Sequence, residues 1–179
     1  IIKGSTCEYL QHYDEINAEL NQKTDEIVAL LKNNHIAAVP IKAKDSSSPI
    51  GADYYTTLRA DLSHKMVATQ AGLGWIGKTA LLISHRFEPR IRLASILTST
   101  PISICGQPIN QSQCGNCHLC VQACPAQAAT DQLWTSAIDR NEFFDPFKCR
   151  QYARQISQTN LNQEISLCGI CLAVCPKGK

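Results

Sequence analysis

Between Tyr13 and Asn34, Ile16, Leu20, Ile27 and Leu31 recur at intervals of four and seven residues, with Glu, Asn, Gln and Lys between them. That spacing predicts a helix with one apolar face. The run from His35 to Ile41 predicts a short strand, and Pro40 puts it at an edge or an end, because proline brings no N–H to a ladder. Lys42 to Gly51 contains Asp45-Ser-Ser-Ser-Pro and predicts a loop. A second helix is expected over Tyr55–Ala71, with Leu58, Leu62, Met66 and Thr69 as its buried stripe and Gly72 as its stop. After a glycine-rich segment, Ala80–Ser84 and Ile91–Leu97 are apolar runs of strand length, and the polar 85–90 segment between them predicts a hairpin. From Cys105 onward the composition turns to Cys, Gln, Ala and Pro, which reads as short helices between loops. The pattern gives an α+β chain divided near Ile104, with one unit over 1–104 and a second over 105–179.

The second unit carries the chemistry. Of the ten cysteines, eight fall into an iron–sulfur pattern. Cys114, Cys117, Cys120 and Cys124-Pro125 form a C-x2-C-x2-C-x3-C-P block. Cys168, Cys171 and Cys175-Pro176 form the same block without its first cysteine, and Cys149 lies between the two. In a two-cluster protein the fourth cysteine of such a block ligates the other cluster. Cluster I then takes Cys114, Cys117, Cys120 and Cys175, and cluster II takes Cys124, Cys149, Cys168 and Cys171, each a [4Fe–4S] centre. Structural zinc would favour two separated C-x2-C pairs around one ion. A disulfide framework would call for an oxidising compartment and a small secreted domain.

Composition narrows the rest. Hydrophobic residues make up 44% of the 179, enough for an ordinary core. The apolar runs are too short to span a bilayer. A net charge of +2 argues for neither nucleic acid nor an anionic membrane as partner. The opening segment has neither the long apolar core nor the cleavage site of a secretory signal. Eight cluster thiolates need a reducing interior, so the expected location is cytoplasmic. The chain opens on Ile1 rather than Met, which reads as an N-terminal portion missing or trimmed.

Gly72-x4-Gly77-Lys78-Thr79 spells the phosphate-binding P-loop, and Gly72-x-Gly74-x2-Gly77 spells the dinucleotide fingerprint. Both need a strand before the glycines and a helix after them, whose N-terminus supplies amides and dipole to the phosphate. Here a helical pattern precedes and a strand pattern follows, so nucleotide binding is not expected. The glycines are instead read as a turn that packs Trp75 and lets backbones approach closely.

The run from His64 to Lys78, the apolar pair of strands, Leu97-Thr-Ser-Thr-Pro101 and the two cysteine blocks, in that order, resemble the epoxyqueuosine reductases, and more distantly the reductive dehalogenases. The similarity covers roughly Tyr54 to Pro176. It implies a cofactor module related to the nitroreductase fold followed by a two-[4Fe–4S] ferredoxin-like module, with cobalamin between them. By the same resemblance Gly72, Gly74, Trp75, Gly77 and Lys78 would line the cofactor side, and His64 and Lys65 would face it. The family's catalytic acid is an Asp in a segment like Asp-Ser-Ala-Pro. Leu58 stands at that place, Asp61 is the nearest carboxylate and so the catalytic candidate, and Asp45 lies further upstream. The family's C-terminal helical repeats, which help bind tRNA, lie beyond the matched region. A relative with another substrate, or with none, is therefore expected.

The remaining signals are smaller. Cys105, nine residues before Cys114, could compete with Cys149 for the open place in cluster II, but Cys149 is preferred, and Cys7 and Cys105 are read as buried or inert thiols. His118, inside the first cysteine loop, is read as solvated, although it could donate to a cluster sulfur. Arg86, Arg90 and Arg92 are expected on a solvated sheet edge, and Tyr54 and Tyr55 in core packing. Two functions follow. One is an oxidoreductase whose clusters pass single electrons to a cofactor and a small-molecule substrate. The other is a ferredoxin-like electron carrier or redox subunit. Either would draw on a low-potential donor such as ferredoxin or flavodoxin.

Overall fold

A computed structural model describes residues 3–43, 53–103 and 106–178. The expected loop over 42–51, Asp45, Cys105 and the division near Ile104 fall wholly or largely outside those residues. The first helix, α1, runs over Cys7–Asn33, beginning six residues before the apolar spacing starts, because the Thr6 hydroxyl accepts from the Tyr9 amide at 3.1 Å and caps it there. Its buried positions are Asn17, Thr24 and Val28, while Ile27 and Leu30 are exposed. Arg92 accounts for this offset. It donates from Nε to Asn17 Oδ1 at 2.9 Å and from Nη2 to Tyr13 Oη at 3.1 Å, and it lies 4.3 Å over the Tyr13 ring. The solvated edge expected for Arg92 is thus an internal tie between α1 and the sheet.

Strand β1, Ala38–Ile41, is shorter than predicted. Helix α2 spans Tyr54–Thr57 and α3 spans His64–Gln70, so the single helix expected over 55–71 is broken in two. Leu58 takes a left-handed conformation, φ 50°, and Arg140 donates to the freed carbonyls of Thr57 and Leu58 at 2.5 and 2.6 Å. A new start follows at Ser63, whose hydroxyl accepts from the Met66 amide. Of the expected stripe only Thr69 is fully buried.

Strands β2, Gly74–Ile76, and β3, Leu82–Ser84, form one antiparallel ribbon, with Trp75 opposite Ile83. Strand β4, Ser95–Thr98, pairs with β1, Val39 opposite Leu97 and Pro40 opposite Ile96. The hairpin expected between 80–84 and 91–97 therefore does not form. Gly74 decides the pairing: a side chain there would collide with the Ile83 backbone, so only glycine lets β2 close onto β3. A strand, not a helix, does follow the glycines.

Four short helices and one longer one complete the chain: α4 over Leu119–Gln122, α5 over Arg140–Phe143, α6 over Pro146–Leu161, α7 over Ile170–Val174, and a 3-10 turn over Pro176–Gly178. Asp145 caps α6 through the amides of Phe147 and Lys148, with Pro146 in its first turn, where no N–H is missed. Buried Trp75, Ile76, Leu82 and Ile83 share one core with Ala128, Trp134, Phe143 and Phe144, and cysteines pack along its border. The architecture is α+β, with two small antiparallel ribbons. Among the described residues no helix is long and apolar enough to cross a membrane.

Candidate iron–sulfur site and adjoining cleft

Cys114 and Cys117 lie in the turn before α4, where the Cys117 amide donates to the Cys114 carbonyl at 3.2 Å, and other cysteines sit in or beside helices. Cys120 sits in α4, Cys149 in the first turn of α6, Cys171 in α7, and Cys175 caps the end of α7. Gly169, at φ 84°, makes the bend that leads from Cys168 into α7, and α4 packs on α7. Two chain-distant blocks are thereby brought face to face.

The thiols fall into two groups. Cys114, Cys117, Cys120 and Cys175 surround one hollow, with Lys78, Thr79 and Cys171 also on its wall. Burial raises the Cys120 thiol above its ordinary range, and Cys114, Cys175 and Cys117 raise it further. Burial likewise pushes Cys149 up to about 11, with Cys124 and Cys168 adding to it. Cys171 is pushed up to about 12 by burial, helped by Cys149 and Cys168 and opposed by a hydrogen bond from Thr79. The described cysteines are all free of disulfides.

This chemistry suits a metal cluster. Neutral thiols crowded in a desolvated place can ionise together only where a cation at their centre takes up the charge. Among the described residues no three His, Cys, Asp or Glu side chains converge closely enough to hold a lone ion. Thiolates that bind separate irons at the corners of a cube stand further apart than the ligands of one ion.

The glycine segment lies against this site in an unexpected way. The indole nitrogen of Trp75 donates to Cys114 Sγ at 3.4 Å. Lys78, 3% exposed, lines the thiol hollow and pairs with Asp131 at 2.7 Å, and Gly77 lines the same hollow. Gly72 and Gly74 face neither that hollow nor the cleft described next. A side chain on Gly72 would meet Gln107 O at 2.6 Å, and Gly74 abuts Ile83. Trp75 lies in the core and likewise lines neither the hollow nor the cleft.

An open cleft of about 530 Å3 lies beside α3 instead. His64, Lys65, Arg59, Asp139 and Arg140 are its charged or titratable wall, and Trp134, Phe143, Met66 and Ile76 its apolar one. His64 is half-buried, its ring nitrogens on Ser95 Oγ at 2.8 Å and the Lys42 carbonyl at 3.3 Å, and burial holds it below its ordinary range. Lys65 donates to the Ala80 carbonyl at 2.6 Å. Asp61 is exposed in the bend between α2 and α3 and does not line the cleft, although Ala60 and Leu62 do. Tyr54 lines it and packs edge-on to Tyr55, which is exposed. His118 and Cys7 are exposed.

Residues 113–178 match the family described as the 4Fe-4S double cluster binding domain. Over 126 residues the chain is 30% identical to the epoxyqueuosine reductase of Bacillus anthracis, spanning 66% of this chain and 30% of that protein. Over 118 residues it is 31% identical to the epoxyqueuosine reductase of Synechocystis sp., spanning 64% of this chain and 39% of that one. The chain is epoxyqueuosine reductase-like, with a double 4Fe-4S cluster domain. It spans between 30% and 39% of the length of these two relatives. Two solved structures share the fold. A selenomethionine-labelled epoxyqueuosine reductase superposes with a TM-score of 0.59 at 22% identity, over 91% of this chain and 39% of that one. The enzyme from Streptococcus thermophilus superposes with a TM-score of 0.53 at 20% identity, over 93% of this chain and 40% of that one.

Sequence reasoning placed Trp75 on a cofactor side rather than against Cys114, and it did not find Thr79 and Arg140 as parts of these sites. None is of a metal-ligating type, and their spacing to the cysteines has no periodicity to detect.

Proposed function

We propose that this chain is a cytoplasmic redox protein that passes single electrons through two [4Fe–4S] clusters to an acceptor held against its first module. Cluster I would be held by Cys114, Cys117, Cys120 and Cys175, and cluster II by Cys124, Cys149, Cys168 and Cys171. One observation carries the reading: Cys114, Cys117 and Cys120 of the first block line one hollow together with Cys175 of the distant block. That exchange of the last cysteine between blocks is the ligation rule of two-cluster ferredoxins. When bound, the clusters supply one-electron chemistry. The chain's own residues hold their thiolates, exclude water with the Trp75–Phe143 core, and place Trp75 and Thr79 as donors to sulfur.

The first module would be related to the nitroreductase-type cofactor domain, and the acceptor site its cleft beside α3. Gly72 and Gly74 line neither cavity, so no step is derived through cobalamin. The cleft walls offer Lys65 and His64 for handling protons, whereas Asp61 stands outside. A low-potential donor such as ferredoxin or flavodoxin would feed the clusters. The filled glycine turn also favours a second reading, an electron carrier without its own substrate.

Anaerobic protein is expected to carry about eight irons and eight sulfides. A reductive titration should then show two one-electron steps. Iron near four, stoichiometric zinc, or a single step would overturn the reading. Oxidation of the reduced clusters by a small molecule bound in the cleft would favour the enzyme over the carrier.

A further inference from the structure

The cleft beside α3 has an unbalanced wall. Three cations line it, Arg59, Lys65 and Arg140, against one carboxylate, Asp139. Arg59 takes up that carboxylate, with Nη2 at 2.7 Å from both of its oxygens. Arg140 spends its donors on neutral oxygens, the carbonyls of Thr57 and Leu58 and the side chain of Asn141. Lys65 gives one of its three protons to the Ala80 carbonyl and, among the described residues, makes no ion pair. Its ammonium is disfavoured first by burial and then by the charge of Arg140. Two partly desolvated cations on one wall, offset only by Asp139 for Arg140 and by Cys149 for Lys65, are costly. A bound anion would remove that cost.

The opposite wall is apolar and aromatic, with Trp134 and Phe143 behind it at 3% and 2% exposure. A volume of about 530 Å3 lies in the range of small-molecule sites. We propose that the cleft binds a small molecule with a flat, apolar ring body and one anionic group, the ring on the apolar wall that Trp134 and Phe143 back and the anion at the Lys65 ammonium. This names the chemical class of the acceptor and rests on the redox reading above. A competing claim on the same charge exists, because Cys149 favours the Lys65 cation. Lys65 would then serve cluster II and leave nothing for a ligand.

Calorimetry on cluster-loaded wild-type protein separates these, using 2-naphthoate and its neutral counterpart 2-naphthalenemethanol. The expected result is at least about tenfold tighter binding of the naphthoate, as one charge-assisted hydrogen bond allows. Lys65→Met should abolish that preference without changing affinity for the alcohol, and Lys65→Arg should keep it. Equal affinity for the two probes in the wild type, or binding of neither, overturns the proposal even if no variant folds. A preference that survives in Lys65→Met overturns the assignment of the anion to Lys65. Iron content and the two reduction steps, measured on the same samples, report separately on the redox reading.

Discussion

The indole N–H of Trp75 points at the sulfur of Cys114, 3.4 Å away, from a ring that is 5% exposed. A donor held on a cluster thiolate stabilises the reduced, more negative state and so raises the potential. Trp75→Phe keeps the ring in the core and removes the donor. Cluster I should then bind its electron about tenfold less tightly, a fall of about 59 mV for a one-electron couple. Potentiometry followed by electron paramagnetic resonance should show one of the two clusters moving. Equal movement of both would mean that the tryptophan acts through packing.

The choice of eighth ligand is open to direct test. Cys149, half-buried in the first turn of α6, is coupled to Cys124 and Cys168. Cys149→Ser should reduce the iron by about half, damaging cluster II while cluster I keeps its spectrum. Cys105→Ser should leave both clusters whole. The opposite pattern would transfer the role to Cys105.

Lys78 occupies the place of a P-loop lysine, but a strand follows it and its ammonium meets Asp131. Calorimetry with magnesium and ATP should show no binding, in the wild type or in Lys78→Ala. Asp131→Asn should instead lower stability by about 1–2 kcal/mol. It strands a cation whose side chain is 4% exposed, though the loss is softened because Asp131 is 48% exposed. A shift in the denaturant midpoint measures this.

These outcomes mark where sequence could be read and where it could not. The cysteine blocks were legible because ligand spacing is a local rule, and α1 and β1 because their patterning is local too. The ribbon β2–β3 was not, since Gly74-Trp75-Ile76 reads as a turn until Ile83 is seen against Gly74. The break at Leu58 depends on Arg140, 82 residues away. Arg92 looks like an edge charge until Tyr13 and Asn17 come to meet it, 79 and 75 residues earlier. Contacts at that separation leave no periodic trace.

The thiols give a final prediction, concerning pH. Burial raises Cys149 from an ordinary 9.0 to about 11, and Cys171 to about 12. In the metal-free fold both hold their protons more tightly than in the unfolded chain. Their contribution to stability is therefore full below pH 9.0 and falls as pH rises through about 11 to 12. Cluster binding reverses this dependence, because the ligated thiolates carry no protons to lose. Metal-free protein should show its melting temperature falling steadily above pH 9.0, while cluster-loaded protein should stay level over the same interval. Loading should also release protons, so iron incorporation at fixed sulfide should improve between pH 7 and pH 9. A flat profile for the metal-free chain would mean that Cys149 and Cys171 are not buried as a pair without their metal.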